Sequence, residues 1–429
     1  MKNGIIFSNG DQWQRERSAV GKVLNHGSLM KLCGRIRSDD LIEWLGKHAN
    51  EPIDLFNLVT LHFLNILTRT FYDVDIDCFN NPNHEVITAA IDIIGFTNSA
   101  SFWAGRSYPI FARMIKAYLT KSPEIVHRFV QSCVAKRTSL SPDKVPDRDF
   151  LQTILTSTLS PLEKMALATE IVGAGFLPPT SSCAFLIYEL ARNPIAMEKA
   201  KEEIDQLLIQ TQKEQDEKTG ETENEKSDEK TEEVEDEKTG EAEDEKTEGA
   251  EDEKSDEESV EEREKKDVEE FVTYERINHG LPYVDKCYKE SSRMHPEAAR
   301  NWRRSTEEVM FPKIGIKLPK NTTVHTATNG LHYDPEIFPS PEAFFPERWN
   351  LERMTPFQSI SYQTFGDGPR KCLGESFSKM IIKKCIITIL RRYNVILFPG
   401  ADIKGKKGMF VPHSFKIQIQ LVPRTDRVI

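Results

Sequence analysis

Apolar residues in this 429-residue chain recur mainly three and four positions apart, the spacing that places them on one face of a helix. The densest case is PIDLFNLVTLHFLNILTRTFY, 52–72, and MIKAYLTKSPEIVHRFVQSCVAKR, 114–137, shows the same period. Residues 11–50 read as helices with polar breaks. A long helix is predicted from LSPLEKMALATEIVGAGF through TSSCAFLIYELARNP, and a second in IAMEKAKEEIDQLLIQTQ. Helical spacing returns in TYERINHGLPYVDKCYKESSRMHP. Short strand-like pieces follow in EEVMFPKIGIKLPKNTTVHTATNG, then the proline-rich HYDPEIFPSPEAFFPERW. The chain ends on a predicted helix, ESFSKMIIKKCIITILRRYNVILF, and an alternating run, SFKIQIQLVP. The pattern predicts a mainly α fold with minor β, built as one large domain.

One segment has no such pattern. Residues 211–270 repeat the phrases SDEKTE, EDEKTG and EDEKSD and hold 30 acidic and 10 basic residues. They carry almost no aromatic or branched apolar side chains, so burial cannot offset the entropy of ordering them. A solvated disordered loop or a fluctuating charged helix is expected there. The domain is then read as 1–210 and 271–429, interrupted by an insert at 211–270. The insert also changes the meaning of the net charge of -11: outside it the chain has 47 basic and 38 acidic residues. A mildly basic body carries an acidic insert. That excess is small and forms no basic aromatic stripe, which argues against a nucleic-acid binder.

The seven cysteines are scattered and include no CxxC pair, so neither a disulfide framework nor a structural zinc site is indicated, and a reducing compartment fits. The histidines form no HExxH motif; His279, His295 and His332 read as local hydrogen-bonding residues. There is no uninterrupted apolar run of membrane-spanning length. The apolar IIGFTNSASFWAG, 93–105, suits either a pocket wall or the core.

One cysteine stands apart. FGDGPRKCLGESF, 365–377, holds Cys372 among glycines just ahead of a helix-like run. A thiolate there is favoured by unpaired backbone N–H groups and the helix dipole. Gly366, Gly368 and Gly374 permit tight turns and close approach to a flat ligand, and Arg370 is placed to pair with a ligand carboxylate. A single thiolate with a large planar cofactor means haem. The loop also matches Phe-x-x-Gly-x-Arg-x-Cys-x-Gly at Phe365, Gly368, Arg370, Cys372 and Gly374, and with it the chain resembles the cytochrome P450 superfamily, most closely its microsomal animal drug- and steroid-oxidising members.

The resemblance covers nearly all of the chain outside the insert. It implies an α-helical haem-thiolate domain with small β-sheets, and haem b (iron protoporphyrin IX) held by Cys372. Trp13 and Arg17, in WQRER, are implied to reach a haem propionate, and Arg303, in RNWRR, to bind a propionate too. Glu290 and Arg293, three apart in KESSR, together with Arg348 of PERW, are implied to form a buried structural triad. The implied activity is insertion of one oxygen atom from O2 into a lipophilic substrate. Electrons would come from NADPH through NADPH-cytochrome P450 reductase, with cytochrome b5 as a second partner. The implied location is the endoplasmic reticulum membrane, on its cytoplasmic face.

Two departures stand out. Trp13 lies almost at the start of the chain, whereas full-length members place it far inside; the sequence is read as N-terminally truncated, without membrane anchor or first helices. The helix that crosses the haem normally carries an acid followed by threonines, which deliver protons during oxygen activation. Here Leu177 takes the acid's place and Pro178 and Pro179 those of the threonines. Leucine relays no proton, and two prolines are expected to kink the helix. Thr180 and Ser181 are the nearest hydroxyls and the candidate catalytic residues. A peroxide-rearranging isomerase or lyase, and a catalytically inactive haem-binding homologue, are the alternatives.

Overall fold

The computed structural model describes residues 4–6, 8–97, 121–141, 149–235, 272–298, 300–401 and 416–426. Within these, local signals set most element boundaries. Helices α1 (Gly10–Val23), α2 (His26–Arg35) and α3 (Asp39–His48) open the chain, and the Asn25 side chain caps α2 by accepting from Ser28 N. A short strand, β1 (Pro52–Asp54), leads into α4 (Leu55–Tyr72). Asp54 caps α4 through the amides of Phe56 and Asn57, and Asp73 ends it in the left-handed conformation, so two of its orphan donors are satisfied at the start. Next come α5 (Glu85–Thr97), α6 (Lys121–Thr138) and α7 (Phe150–Leu155). A reciprocal Ser160–Glu163 capping box with Pro161 in the first turn starts the 32-residue α8 (Pro161–Arg192). Then follows α9 (Pro194–Glu235), which runs well past residue 210 into the acidic insert.

The second half begins with α10 (Tyr274–His279) and α11 (Pro282–Met294). Strands β2 (Arg300–Arg304), β3 (Val309–Phe311), β4 (Ile316–Leu318) and β5 (Thr323–Ala327) make two antiparallel pairs, β2 with β5 and β3 with β4. Short helices α12 (Thr328–His332) and α13 (Pro356–Ser361) precede α14 (Glu375–Arg392), and strands β6 (Tyr393–Leu397) and β7 (Gln418–Pro423) close the chain. The order β1-β7-β6 joins the first and last parts of the sequence in one antiparallel sheet, with Ile53 opposite Ile419 and Val395 opposite Leu421.

The core lies where α8 packs against α4, α11 and α14. Helix α4 is buried on nearly every side, which accounts for its dense apolar run. By length and composition α8 could cross a membrane, but 72% of its apolar window is buried inside the protein; here it is the central core helix. Contacts also join the regions on either side of the insert. Lys384 Nζ donates to the Cys33 and Ile36 carbonyls at 2.8 and 2.9 Å, and Arg424 pairs with Asp205 at 2.8 Å.

One detail differs from expectation. YNVIL belongs to β6, not to the preceding helix, because its β-branched residues pair with the alternating β7. Helix α8 runs unbroken across Pro178 and Pro179. The donors these prolines remove would have served the Ala174 and Gly175 carbonyls; Ala174 and Pro178 are both exposed, whereas Pro179 is buried and Gly175 packs closely against the core residue Leu67. The expected helix over 114–120, most of the 93–105 stretch and the later part of the insert lie outside the described residues.

Candidate functional site

The Cys372 loop is built by two glycines in the left-handed region, Gly366 and Gly368, each at φ +69, where a side chain would be strained. Asp367 accepts from the Gly368 amide at 2.7 Å, and Lys371 N donates to Gly368 O at 3.0 Å. Cys372 N donates to Phe365 O at 3.0 Å and closes the loop. Phe365 packs on the core, and Gly374 is the N-cap of α14. A Cβ on Gly374 would stand 3.9 Å from Cys372 Sγ, an ordinary contact distance.

All seven cysteines are free; six are buried and Cys372 alone is exposed. The loop nonetheless crowds the sulfur. Partial desolvation pushes the thiol above its usual range, while the Gly374 amide and the charges of Arg17 and Lys371 draw it down. Among the described residues no group of histidines, cysteines and carboxylates could hold a metal, so a metal bound here would rest on one sulfur and the ligand that carries it.

Positive charge gathers beside this thiol. The Arg370 guanidinium lies 4.2 Å from the centroid of the Trp13 ring, and Arg17 lies 5.5 Å from the same ring. Arg370 also donates to Ser8 O at 2.9 Å and Asn9 Oδ1 at 3.1 Å. Burial depresses its pKa, and the charges of Arg303 and Arg17 depress it further against the opposing pull of Glu16. Trp13, Arg17, Arg303, Arg370 and Cys372 are thus brought together from α1, β2 and the loop. Several guanidinium groups that repel one another beside an open thiol fit a ligand with a thiolate-seeking metal and peripheral carboxylates. The residues present fit haem.

Beneath the loop, Glu290, Arg293 and Arg348 meet. Glu290 and Arg293 are fully buried on α11. The carboxylate accepts from Arg293 Nε and Nη2 at 3.0 and 2.9 Å and from Arg348 Nε at 2.9 and 3.0 Å. Two further donors were not foreseen from the sequence: Phe345 N at 3.1 Å and Trp349 Nε1 at 2.9 Å. The spare donors of Arg293 hold the carbonyls of His332 and Pro341 at 2.7 and 2.8 Å, and Arg348 holds that of Pro339 at 3.0 Å. One charge cluster therefore ties α11 to the proline-rich segment.

His332 carries the connection onward. Its Nδ1–H is assigned as donor to Arg293 O at 3.0 Å, because its Nε2 accepts from Gln363 N at 3.2 Å. Burial pushes its pKa down to about 4, which keeps this tautomer neutral. Gln363 O in turn accepts from Gly366 N at 3.0 Å. The chain of bonds runs from the carboxylate cluster to the cysteine loop, and the sequence hint was only that His332 bonds locally.

On α8 the two candidate hydroxyls differ. Thr180 Oγ1 donates to Phe176 O at 2.8 Å, so its proton is engaged by its own helix. Ser181 Oγ is buried and closes no hydrogen bond. Leu177 is buried too, while Pro178 is exposed.

Comparison with known proteins gives the chain's family. The family model "Cytochrome P450" matches residues 1–221 and 253–421. Cytochrome P450 3A30 of Fundulus heteroclitus is 26% identical over 99% of this chain and 77% of the relative. Lithocholate 6-beta-hydroxylase of Mesocricetus auratus and cytochrome P450 3A7 of Homo sapiens are each 24% identical, over 92% of this chain and 70% of their own length. With a family match over most of its length, the chain belongs to the cytochrome P450 family.

Proposed function

We propose that the chain is a haem-thiolate monooxygenase that inserts one oxygen atom from O2 into a lipophilic organic substrate, using NADPH electrons delivered by NADPH-cytochrome P450 reductase, with cytochrome b5 as a second donor. Family membership supports a P450-type monooxygenase with a haem-thiolate cofactor, redox partners and a small-molecule substrate. The observation that carries the reading is the single exposed thiol, Cys372, beside the convergent Arg17, Arg303 and Arg370. Cys372 is assigned as axial ligand of haem b, and the arginines with Trp13 hold and orient its carboxylates. When bound, the haem supplies the oxygen chemistry. Glu290, Arg293 and Arg348 hold the loop's supporting segment in place. Residues 1–210 and 271–429 form one catalytic domain, with 211–270 a solvated insert. The endoplasmic reticulum membrane, cytoplasmic face, is the proposed location.

The replacement of acid and hydroxyls by Leu177, Pro178 and Pro179 favours a second reading, rearrangement of a ready-made peroxide. Such a reaction needs no reductase. The test is the purified chain loaded with haem and reduced under carbon monoxide. A red-shifted Soret band marks thiolate ligation, and its absence removes both enzyme readings. Product that depends on NADPH and reductase supports the monooxygenase; turnover of a hydroperoxide without electrons, and no NADPH-dependent product, supports the isomerase.

A further inference from the structure

The polypeptide that leads into α1 is clasped by carboxyl groups from two helices. On α8, Glu170 Oε1 accepts from Ile6 N at 3.2 Å, while Oε2 is buried and closes no hydrogen bond. That second oxygen lies so near the backbone of Gly4 that a Cβ there would collide with it, so glycine is what admits the carboxyl. Ser8 N donates to Gly4 O at 2.8 Å and closes the turn. On α1, the fully buried Glu16 accepts from Ser8 Oγ at 2.5 Å and from Gln12 Nε2 at 2.9 Å. A further carboxyl of α8, Glu163, takes Arg15 at 2.9 Å; it stands about two turns before Glu170, on the same face of the helix. A buried oxygen left unsatisfied is costly and calls for an explanation.

The clasped segment ends on the cysteine loop. Arg370 Nη2 donates to Ser8 O at 2.9 Å and to Asn9 Oδ1 at 3.1 Å. Both bonds use one nitrogen, and among the described residues no hydrogen bond takes Arg370 Nε or Nη1. A guanidinium carries its donors in one fixed plane, so anchoring one corner sets where the other two point. Arg370 needs that anchor. The charges of Arg17 and Arg303 repel it, and the Trp13 ring 4.2 Å away restrains it but supplies no carbonyl or carboxylate.

We propose that Glu170 and Glu16 are positioning residues of the cofactor site: through Gly4, Ile6 and Ser8 they fix the carbonyl that holds one corner of Arg370, and so aim its remaining donors at a haem carboxylate. The inference rests on the haem-thiolate reading above. Each carboxyl acts through Ser8 and not on the cofactor itself. A clasp that served only to steady α1 against α8 would change stability and leave the electrostatics of the haem alone, which is the distinction the experiment uses.

The test takes the haem-loaded chain and the variants Glu170→Ala, Gly4→Ala and Glu170→Gln. The first removes the acceptor for Ile6 N. The second drives the carboxyl off the turn while keeping it in the chain, and the third retains an acceptor of the same shape. Haem transfer to apomyoglobin should quicken about tenfold in Glu170→Ala and Gly4→Ala, roughly the worth of one hydrogen bond to a charged group. The haem reduction potential should fall in both, because a positive charge moves away from the iron. Glu170→Gln should keep the parent's rate and potential. In an Arg370→Gln background, Glu170→Ala should add nothing, as two residues acting in series require. Glu170→Ala and Gly4→Ala chains with the parent's transfer rate and potential, whatever their urea midpoints, overturn the inference. So does a Glu170→Ala effect that persists undiminished beside Arg370→Gln. A parent chain that binds haem without the red-shifted ferrous–carbonyl Soret band overturns the haem-thiolate reading beneath it.

Discussion

The charge cluster on α11 gives a prediction whose size can be worked from the structure. Replace Glu290 with Gln, which keeps the shape and removes the charge. The carboxylate now accepts five donors through two oxygens. An amide nitrogen in the Oε2 position faces Arg293 Nε and Trp349 Nε1; in the Oε1 position it faces Arg293 Nη2 and Phe345 N. Either orientation orphans two buried donors, each costing about 1–3 kcal/mol. It also leaves Arg293, which is fully buried, without its counter-charge, for which about 3–5 kcal/mol is typical. These penalties overlap, so the expected loss is about 4–6 kcal/mol, a large share of the roughly 5–15 kcal/mol that holds a domain. Urea unfolding followed by far-ultraviolet circular dichroism should show a much lower midpoint at constant slope. Arg348→Gln leaves Arg293 and Glu290 as a neutral pair and should lose about half as much. A Glu290→Gln chain within about 1 kcal/mol of the parent would refute the reasoning, because that is the span of an exposed pair.

Other perturbations separate site from scaffold. Cys372→Ser should abolish the thiolate Soret band yet leave the urea midpoint nearly unchanged, since the thiol is exposed. Trp13→Ala should weaken haem retention, measured by transfer to apomyoglobin, because both Arg370 and Arg17 pack on that ring. Stability against pH should show two opposed contributions. His332, held down at about 4, binds its proton more readily unfolded, so its contribution is lost as pH falls from its ordinary value near 6.5 through 4, about 3 kcal/mol in all. Glu170 is pushed up to about 7 by burial and by the charge of Glu16; it binds its proton more readily folded, so stability falls as pH rises from about 4.5 to 7, by a similar amount. The two nearly cancel between pH 5 and 6.5, and Glu170→Gln should expose a steeper rise of stability with pH there. A flat difference between that variant and its parent would count against the raised Glu170 carboxyl.

The sequence made some of this legible and hid the rest for physical reasons. The cysteine loop and the Glu290, Arg293 and Arg348 residues could be found because each needs a particular residue at a fixed spacing: a glycine at positive φ, a carboxylate one turn from a guanidinium. Helix α4 was legible because its apolar residues recur on nearly every side of the helix. The end of α14 was not, because the run YNVIL is apolar in either state and becomes a strand only when β7, far along the chain, pairs with it. Trp349 and His332 were hidden for a related reason. Their roles come from what folds against them, and a tryptophan after PER announces no partner. The tandem prolines announce two missing backbone donors, and α8 carries both within one continuous helix.

Those missing donors have a further consequence. A helix normally presents to a ligand only side chains, since its carbonyls and amides are spent on each other. At Ala174, on an exposed turn, the helix supplies no amide four residues on because Pro178 stands there, so this turn of α8 offers a bare backbone oxygen on its open side. An apolar molecule resting there would strip water from that acceptor and return nothing, whereas one that carries a hydroxyl or amide hydrogen would restore what proline removed. A group that donates a hydrogen bond is therefore better matched to this turn than one that cannot.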